Sequence, residues 1–301
     1  MEAVVAVPLH VANPVGSVAT DTARPGIPHV ITDRAGTIGE PLRADHVGSP
    51  VSDGVDKSGE RVRGMFAEIA PRYDLVNRLL SGGIDVLWRR TTVRRAPPPP
   101  VGAILDVCCG TGDLALAYAA AASPDVRLVA SDFCRPMLER GEVKGVKAGR
   151  AIEWVEADAM ELPFATAEFD LVTVAFGLRN IADTARGLAE MARVTKPGGR
   201  LAILEFSLPR SAVVRFGYLW YFRNVLPRLG NAVARNRSDA YTYLNESVEE
   251  FPSGERLASL VQQAGYEQVE SVPLTFGIAA LTIATRVGGK TSSPAGDVPH
   301  G

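Results

Sequence analysis

Between Ala103 and Phe206 the chain alternates short apolar runs with segments whose apolar residues recur at helical spacing. This pattern predicts buried parallel strands joined by crossover helices. The predicted strands are Ala103–Cys108, Arg127–Ser131, Ile152–Glu156, Leu171–Phe176 and Arg200–Phe206. The predicted helices are Leu114–Ala122, Pro136–Lys144 and Asp183–Val194, the last of which is ended by Lys196-Pro-Gly-Gly199.

Further elements are predicted on either side of this alternating core. Residues 60–81 fit two short amphipathic helices broken at Pro71, and residues 85–96 fit a basic helix. Residues 253–264 are predicted to form a helix capped by Ser253, and residues 266–285 a closing hairpin around Phe276-Gly277. The pattern therefore predicts an α/β fold with a seven-stranded, mostly parallel sheet, helices on both faces and an antiparallel C-terminal hairpin.

Three stretches do not fit the alternation. Residues 1–58 and 288–301 are polar or lack a sustained period, so they are predicted to be a disordered extension and a disordered tail around a folded domain, 59–287. Residues 208–252 form an insertion rich in aromatic residues and arginines. Because it follows a strand end where ligands bind in open α/β sheets, it is predicted to be a lid, with a helical hairpin packed on the core as the alternative.

A glycine loop follows the first strand and carries the candidate chemistry. Gly110 and Gly112 permit a tight turn and a close approach to a ligand, and Asp132, at the end of the second strand, is placed to bind a ribose. The loop also satisfies the loose dinucleotide pattern. However, Asp106 lies just before it and would repel a pyrophosphate, whereas it would attract the sulfonium and ammonium of S-adenosylmethionine. The sequence therefore favours S-adenosylmethionine as the cofactor.

Composition narrows the class of protein. The chain has 301 residues and a net charge of −2, so nothing points to nucleic acid. No apolar run reaches the length of a transmembrane span, and we expect a cytoplasmic protein, with peripheral contact at the inner face of the membrane left open. All four histidines fall in the predicted tails, and Cys108 and Cys109 are adjacent. This pattern argues against a metal site and against a histidine-activated nucleophile.

Several segments resemble the quinone-biosynthesis C-methyltransferases of the UbiE/MenG type, which methylate demethylmenaquinol or 2-polyprenyl-6-methoxy-benzoquinol. The resemblance covers roughly Met65 to Thr285 and is strongest in Met65-Phe-Ala-Glu-Ile-Ala-Pro-Arg-Tyr-Asp74 and Phe176-Gly-Leu-Arg-Asn180. It implies a class I, Rossmann-like methyltransferase. The implied acceptor is a polyprenylated quinol drawn from the membrane.

The resemblance also implies residue roles. Thr111 and Asp132 would bind S-adenosylmethionine, and Asp158 and Ala159 would flank its adenine. Ala175 stands where many relatives have a cofactor-contacting serine, so only its backbone is available for that contact.

Catalytic roles are hypotheses at this stage. Arg179 is predicted to stabilise a phenolate, Asn180 to orient the ring hydroxyl, and Tyr73 to relay protons, alone or through water with Asp158. The alternatives are a turn that caps the fourth strand, for Arg179 and Asn180, and helix packing, for Tyr73. Three alternative functions remain open for the protein: a methyltransferase for another apolar or phenolic acceptor, a non-catalytic cofactor-binding subunit, or a dinucleotide enzyme. A homodimer is left open.

Overall fold

The structure is a computed structural model that describes residues 59–209, 211–224, 243, 247–248 and 250–288. The predicted extension 1–58, residues 225–242 of the predicted insertion, and the predicted tail beyond residue 288 lie outside the described residues.

The core is a seven-stranded sheet. Its strands are β1 (Gly102–Val107), β2 (Val126–Asp132), β3 (Glu153–Glu156), β4 (Phe169–Ala175), β5 (Thr195–Phe206), β6 (Tyr266–Leu274) and β7 (Ala279–Arg286). Their order is β3-β2-β1-β4-β5-β7-β6. The first five strands are parallel, while β7 runs antiparallel to both β5 and β6. The predicted fold class is therefore confirmed, including the C-terminal hairpin.

The helices fall largely where the periodicity placed them. They are α1 (Gly59–Ile69), α2 (Tyr73–Ser81), α3 (Ile84–Arg95), α4 (Asp113–Ala121), α5 (Arg135–Lys147), α6 (Thr184–Val194), α7 (Ala212–Asn224) and α8 (Glu255–Gln263). Pro71 lies in a 3₁₀ turn, Ala70–Arg72, that separates α1 from α2, as the predicted break required.

Two hydrophobic clusters bury the sheet on both faces. Leu105 of β1 belongs to the cluster that includes Leu188 of α6 and Leu257 of α8. Its neighbour Ile104 belongs to the cluster that includes Tyr118 of α4. Adjacent residues of a strand point to opposite faces, so a strand buried on both sides must be apolar throughout. This explains why β1 is one unbroken apolar run up to Asp106.

Two predicted local signals are wrong in detail. Helix α6 ends at Val194, and β5 begins at once with Thr195. Lys196–Gly199 lie in a bulge of β5, where the pairing shifts from Phe169↔Thr195 to Leu171↔Arg200, so the Pro-Gly-Gly does not form the helix stop. The N-cap of α8 is Gly254, without a side-chain cap, and not Ser253.

The strand order places a cleft at the carboxyl ends of β1 and β4. The chain winds outward from β1 through β2 to β3 and then returns to β4 on the other side of β1. Ligands of open α/β sheets bind where the winding reverses in this way. In the part of the chain that the structure describes, every helix is too short or too polar to cross a bilayer.

Candidate active site

A cleft of about 950 Å³, including space open to solvent, lies at this edge of the sheet. It is lined by the ends of β1, β2 and β4, by the loop after β3, and by side chains from α1, α2 and α3. The lining holds four carboxylates and, among the described residues, a single cation. These residues are Asp106, Asp113, Asp132, Asp158 and Arg89.

Asp132 ends β2 and is fixed by backbone donors. One carboxylate oxygen accepts from the N–H of Gly110 at 2.8 Å, and the other accepts from the N–H of Cys134 at 2.9 Å. Burial raises its pKa to about 6, although these backbone hydrogen bonds oppose the rise. Each carboxylate oxygen has a second lone pair, so the group can still accept from two hydroxyls of a ribose.

The two loop glycines serve different purposes. Gly110 has φ +57° and faces the cleft, where the nearest atom to an added Cβ is Cε1 of Tyr73 at 3.8 Å. Gly112 has φ +78°, and an added Cβ would lie 2.3 Å from the Trp154 ring. Gly112 is not among the residues that line the cleft. The prediction that Gly112 permits a close approach to the cofactor stays a prediction, and the close approach seen in the structure is that of Trp154 on β3.

Thr111 lines the cleft, but its hydroxyl is engaged by neighbouring helices. The hydroxyl donates to Asp74 of α2 at 2.5 Å and accepts from Lys144 of α5 at 3.1 Å. Lys144 also pairs with Asp74 at 2.9 Å and with Asp113 of α4. The side chain of Thr111 therefore connects the glycine loop to α2 and α5. Its backbone remains the part that is available to a cofactor.

Asp106 is the buried carboxylate of β1. One oxygen accepts from the Thr173 hydroxyl at 2.7 Å, while the other is buried without a hydrogen-bond partner among the described residues. Burial raises its pKa to about 7. An unpaired buried polar atom is costly, and an ammonium group would both satisfy it and stabilise its charge. The site thus fits a cofactor with a cationic amino group, and it does not fit a pyrophosphate.

The remaining predicted cofactor residues also meet at this cleft. Asp158 follows β3 and accepts from the N–H of Met160 at 2.8 Å through one oxygen. Ala159 is buried beside it, and Ala175 closes the cleft at the end of β4. Cys108 and Cys109 line the floor between them, and burial raises the pKa of both thiols well above the ordinary value. Both cysteines therefore remain neutral.

Tyr73, the first residue of α2, lines the cleft above Gly110. Its ring meets Phe66 of α1 edge to face, with the ring centroids 6.1 Å apart. Burial raises the pKa of its phenol, although a hydrogen bond with Asn77 and the charges of Arg179 and Arg89 oppose the rise. The hydroxyl is therefore protonated at neutral pH and acts as a donor. This state is compatible with the predicted proton relay but excludes a preformed phenolate.

Arg179 is close enough to Tyr73 for its charge to act on the phenol, and its predicted role toward a phenolate stays a prediction. Its guanidinium pairs with the buried carboxylate of Glu205 at 2.9 Å and donates to the carbonyl of Phe176 at 2.7 Å. It is not among the residues that line the cleft, whereas its neighbour Asn180 is. The geometry therefore supports the alternative of a turn fixed at the end of β4, since Glu205 already neutralises this cation.

Asn180 connects the cleft with the predicted insertion. Its side-chain oxygen accepts from the hydroxyl of Tyr243 at 3.2 Å. Tyr243, Ser247 and Val248 are buried, so the described end of the insertion reaches the body of the protein. At its other end, α7 exposes Val213, Phe216 and Trp220, which are 82%, 75% and 55% accessible. The predicted lid thus contacts the site at one end and presents apolar surface at the other.

Arg89 was missed by the analysis of the sequence. It lies on α3, lines the cleft, and pairs through Nη1 with Asp85 at 2.5 Å and with Asp113 at 3.8 Å. The available signal was that Arg89 falls within the stretch from Met65 to Thr285 that resembles the family. Nothing in the local sequence shows that α3 crosses the ends of the strands.

The strand order defines a Rossmann-like fold, which solved methyltransferase structures share. A SAM-dependent methyltransferase from Aquifex aeolicus superposes with a TM-score of 0.52 at 18% identity, covering 71% of this chain and 98% of that one. The [4+2]-cyclase SpnF superposes with a TM-score of 0.56 at 16% identity, covering 77% of this chain and 97% of that one. At these identities the likeness shows the fold alone.

The chain belongs to the ubiE/COQ5 methyltransferase family, whose family model matches residues 55–286. A demethylmenaquinone methyltransferase from Deinococcus radiodurans is 46% identical over 79% of this chain and 97% of its own length. A protein of the same name from Thermus thermophilus is 47% identical over 74% of this chain and all of its own. A ubiquinone/menaquinone biosynthesis C-methyltransferase from Geobacter sp. is 45% identical over 77% of this chain. The predicted resemblance is thereby confirmed.

Proposed function

We propose that this protein transfers a methyl group from S-adenosylmethionine to a ring carbon of a polyprenylated quinol, in the biosynthesis of menaquinone or ubiquinone. Membership of the ubiE/COQ5 family and relatives named for demethylmenaquinone methylation support the reaction. The observation that carries the proposal for this chain is the buried Asp106, whose unpaired oxygen faces a cleft at the strand ends.

The cofactor's partners follow from the geometry of the cleft. Asp132 would accept from the ribose hydroxyls, and Asp158 with Ala159 would flank the adenine. Asp106 would accept from the amino group. The bound cofactor supplies an electrophilic methyl group on a sulfonium. The acid-rich lining of the cleft attracts that positive charge, whereas it would repel the phosphates of a dinucleotide.

The acceptor's ring would lie between α2 and the 176–180 turn, where Tyr73 and Asn180 face the cleft. Tyr73, kept protonated by burial, donates to a ring oxygen. Asn180, held by Tyr243, orients the second oxygen. Methylation at carbon requires little more from the protein, because an electron-rich quinol held in line with the methyl group is already reactive.

The tail of such an acceptor is membrane-soluble, and the exposed face of α7 suits it. Val213, Phe216 and Trp220 recur at spacings of three and four residues and therefore lie on one face of the helix. We assign this face to the polyprenyl chain or to the lipid around it. The protein would then act at the membrane surface, with no spanning helix in its described part.

A methyl-transfer assay tests the proposal. Purified protein is incubated with methyl-labelled S-adenosylmethionine and with chemically reduced demethylmenaquinone or a reduced polyprenyl benzoquinone. Label in the C-methylated quinone supports the proposal, and the faster acceptor identifies the pathway. Methylation of only a tail-less phenol would favour the alternative acceptor class. Donor binding without transfer to any quinol would favour the non-catalytic subunit.

A further inference from the structure

We infer that Arg89 binds the carboxylate at the amino-acid end of S-adenosylmethionine, opposite the ammonium bound by Asp106. This inference rests on the proposed function, because it assigns one more residue to the same cofactor. The four carboxylates of the lining provide for cationic groups, yet the cofactor also carries one anion. Among the described residues that line the cleft, only Arg89 offers a positive charge for it.

The position of Arg89 is fixed by its surroundings. Its guanidinium lies 5.7 Å from the ring centroid of Phe176, directly after β4. The preceding residue, Trp88, donates to the hydroxyl of Thr275 at 2.8 Å and thereby ties α3 to the hairpin. Asp85 accepts from Arg89 through one oxygen and from Ser81 through the other at 2.8 Å, so both oxygens of Asp85 have a partner. Arg89 is therefore held in the lining of the cleft by Asp85, Asp113 and the ring of Phe176.

The guanidinium keeps binding capacity for a ligand. Within the described part of the chain, its ion pairs with Asp85 and Asp113 both run from Nη1. An arginine has five N–H donors in a planar fork, so the donors on its other nitrogens remain for a carboxylate. Burial raises the pKa of Asp106 to about 7, and Arg89 is one of the groups that oppose this rise. Arg89 and Asp106 are therefore close enough to interact electrostatically. This proximity is required if they bind the carboxylate and the ammonium of the same amino-acid group of S-adenosylmethionine.

Arg179 is a poorer candidate for the same task. Its charge is compensated by Glu205, and it lies outside the cleft lining. The quinol's oxygen is the competing anion for Arg89. The cofactor's carboxylate is favoured because Arg89 contacts Asp113, the first residue of the helix that follows the glycine loop, and so lies beside the cofactor-binding floor.

A binding cycle with two ligands and two proteins tests the assignment. Calorimetry without acceptor compares S-adenosylmethionine with its decarboxylated form, which lacks only the carboxylate, on the native protein and on Arg89→Gln. A carboxylate bound by a charged hydrogen bond predicts that the native protein prefers S-adenosylmethionine by on the order of 10- to 100-fold. The Arg89→Gln variant should lose this preference or reverse it, because the decarboxylated ligand is the more cationic of the two.

Controls separate the possible failures. Arg90→Gln changes an exposed arginine next in sequence and should bind like the native protein, while Arg89→Lys should retain part of the preference. Equal weakening of both ligands by Arg89→Gln, or no preference in the native protein, would overturn the inference, as would an effect confined to the KM of the quinol. Failure of the native protein to bind either ligand would instead overturn the proposed function itself. The comparison of ligands on the native protein needs no variant to fold.

Discussion

The floor of the cleft and its wall are held in different ways. The floor, formed by residues 106–112 with Asp132, is fixed by backbone N–H groups and by turns that glycine permits. The wall, formed by the 176–180 turn with α3, is fixed by side-chain ion pairs and by contacts between aromatic rings. Main-chain N–H donors hold the carboxylate of the floor, whereas the wall depends on the charge of Glu205 to balance the buried Arg179. Variants of each should therefore fail differently.

The largest expected effect is the loss of stability caused by a substitution in the wall. Glu205→Gln removes the charge that compensates the buried Arg179, and breaking a buried pair from one side costs about 3–5 kcal/mol in the free energy of unfolding. Urea denaturation measures this loss. If the wall is separate from the floor, cofactor affinity of the folded variant stays within a few-fold. A double variant, Glu205→Gln with Arg179→Met, should recover part of the stability, and failure to do so would show that the pair is not coupled.

Substitutions of the two floor glycines should lower the free energy of unfolding by different amounts. Gly112→Ala combines positive φ with a clash against Trp154, and we expect a loss of about 2–4 kcal/mol in the free energy of unfolding. Gly110→Ala, whose added Cβ has space, should lose only about 1–2 kcal/mol. Adding Trp154→Ala should relieve the clash in the Gly112 variant alone. Equal unfolding losses for the two single variants would contradict the distinct role of Gly112.

Asp132→Ala tests the floor's contact with the ribose. We expect cofactor binding to weaken by about 1.5–3 kcal/mol, the range for hydrogen bonds to a charged group. Calorimetry with S-adenosylmethionine measures it, and circular dichroism checks that the fold is retained. Because Asp132 also accepts from the N–H groups of Gly110 and Cys134, part of the loss will reflect the loop. Normal cofactor binding by the variant would remove the ribose assignment.

The pH dependence of cofactor binding tests Asp106. Its pKa, about 7 in the free protein, means that the group is mostly protonated at pH 6 and mostly ionised at pH 8. A cationic ligand favours the ionised form, so binding at low pH must first release a proton. Affinity should therefore rise roughly 10-fold from pH 6 to pH 8 and then level off. The Asp106→Asn variant should bind the cofactor weakly, and its affinity should change little with pH. If its affinity changes with pH as much as that of the native protein, a group other than Asp106 titrates.

The smallest effect is expected on the exposed face of α7. Trp220 is 55% accessible, so Trp220→Ser should leave the melting temperature nearly unchanged. If that face handles the polyprenyl chain, the KM for a long-tailed quinol should rise several-fold while that for a tail-less quinol stays constant, since each buried methylene contributes about 0.8 kcal/mol. Val146→Ser, a change at an exposed valine of α5, is the matched control. If Trp220→Ser raises the KM of both acceptors equally, the exposed face of α7 has a structural role and does not bind the polyprenyl chain.

The sequence by itself determined the strands and the floor. A strand buried on both faces must be apolar, so Asp106 and Asp132 stand out at strand ends, and a glycine loop before a helix is a local arrangement. The resemblance to quinone C-methyltransferases likewise rests on short segments. These predictions hold because the interactions behind them span few residues. The hairpin at 266–286 was predictable for the same reason.

Only the tertiary structure decided which charged groups face the cleft. Arg179 and Arg89 both lie within the stretch that resembles the family. Glu205 of β5 pairs with Arg179, which does not line the cleft, whereas α3 places Arg89 in the lining. Likewise, only the structure shows that β3 brings the ring of Trp154 against Gly112. Which side chains line the cleft depends on contacts between residues far apart in the chain, and the pattern of neighbouring residues does not reveal these contacts.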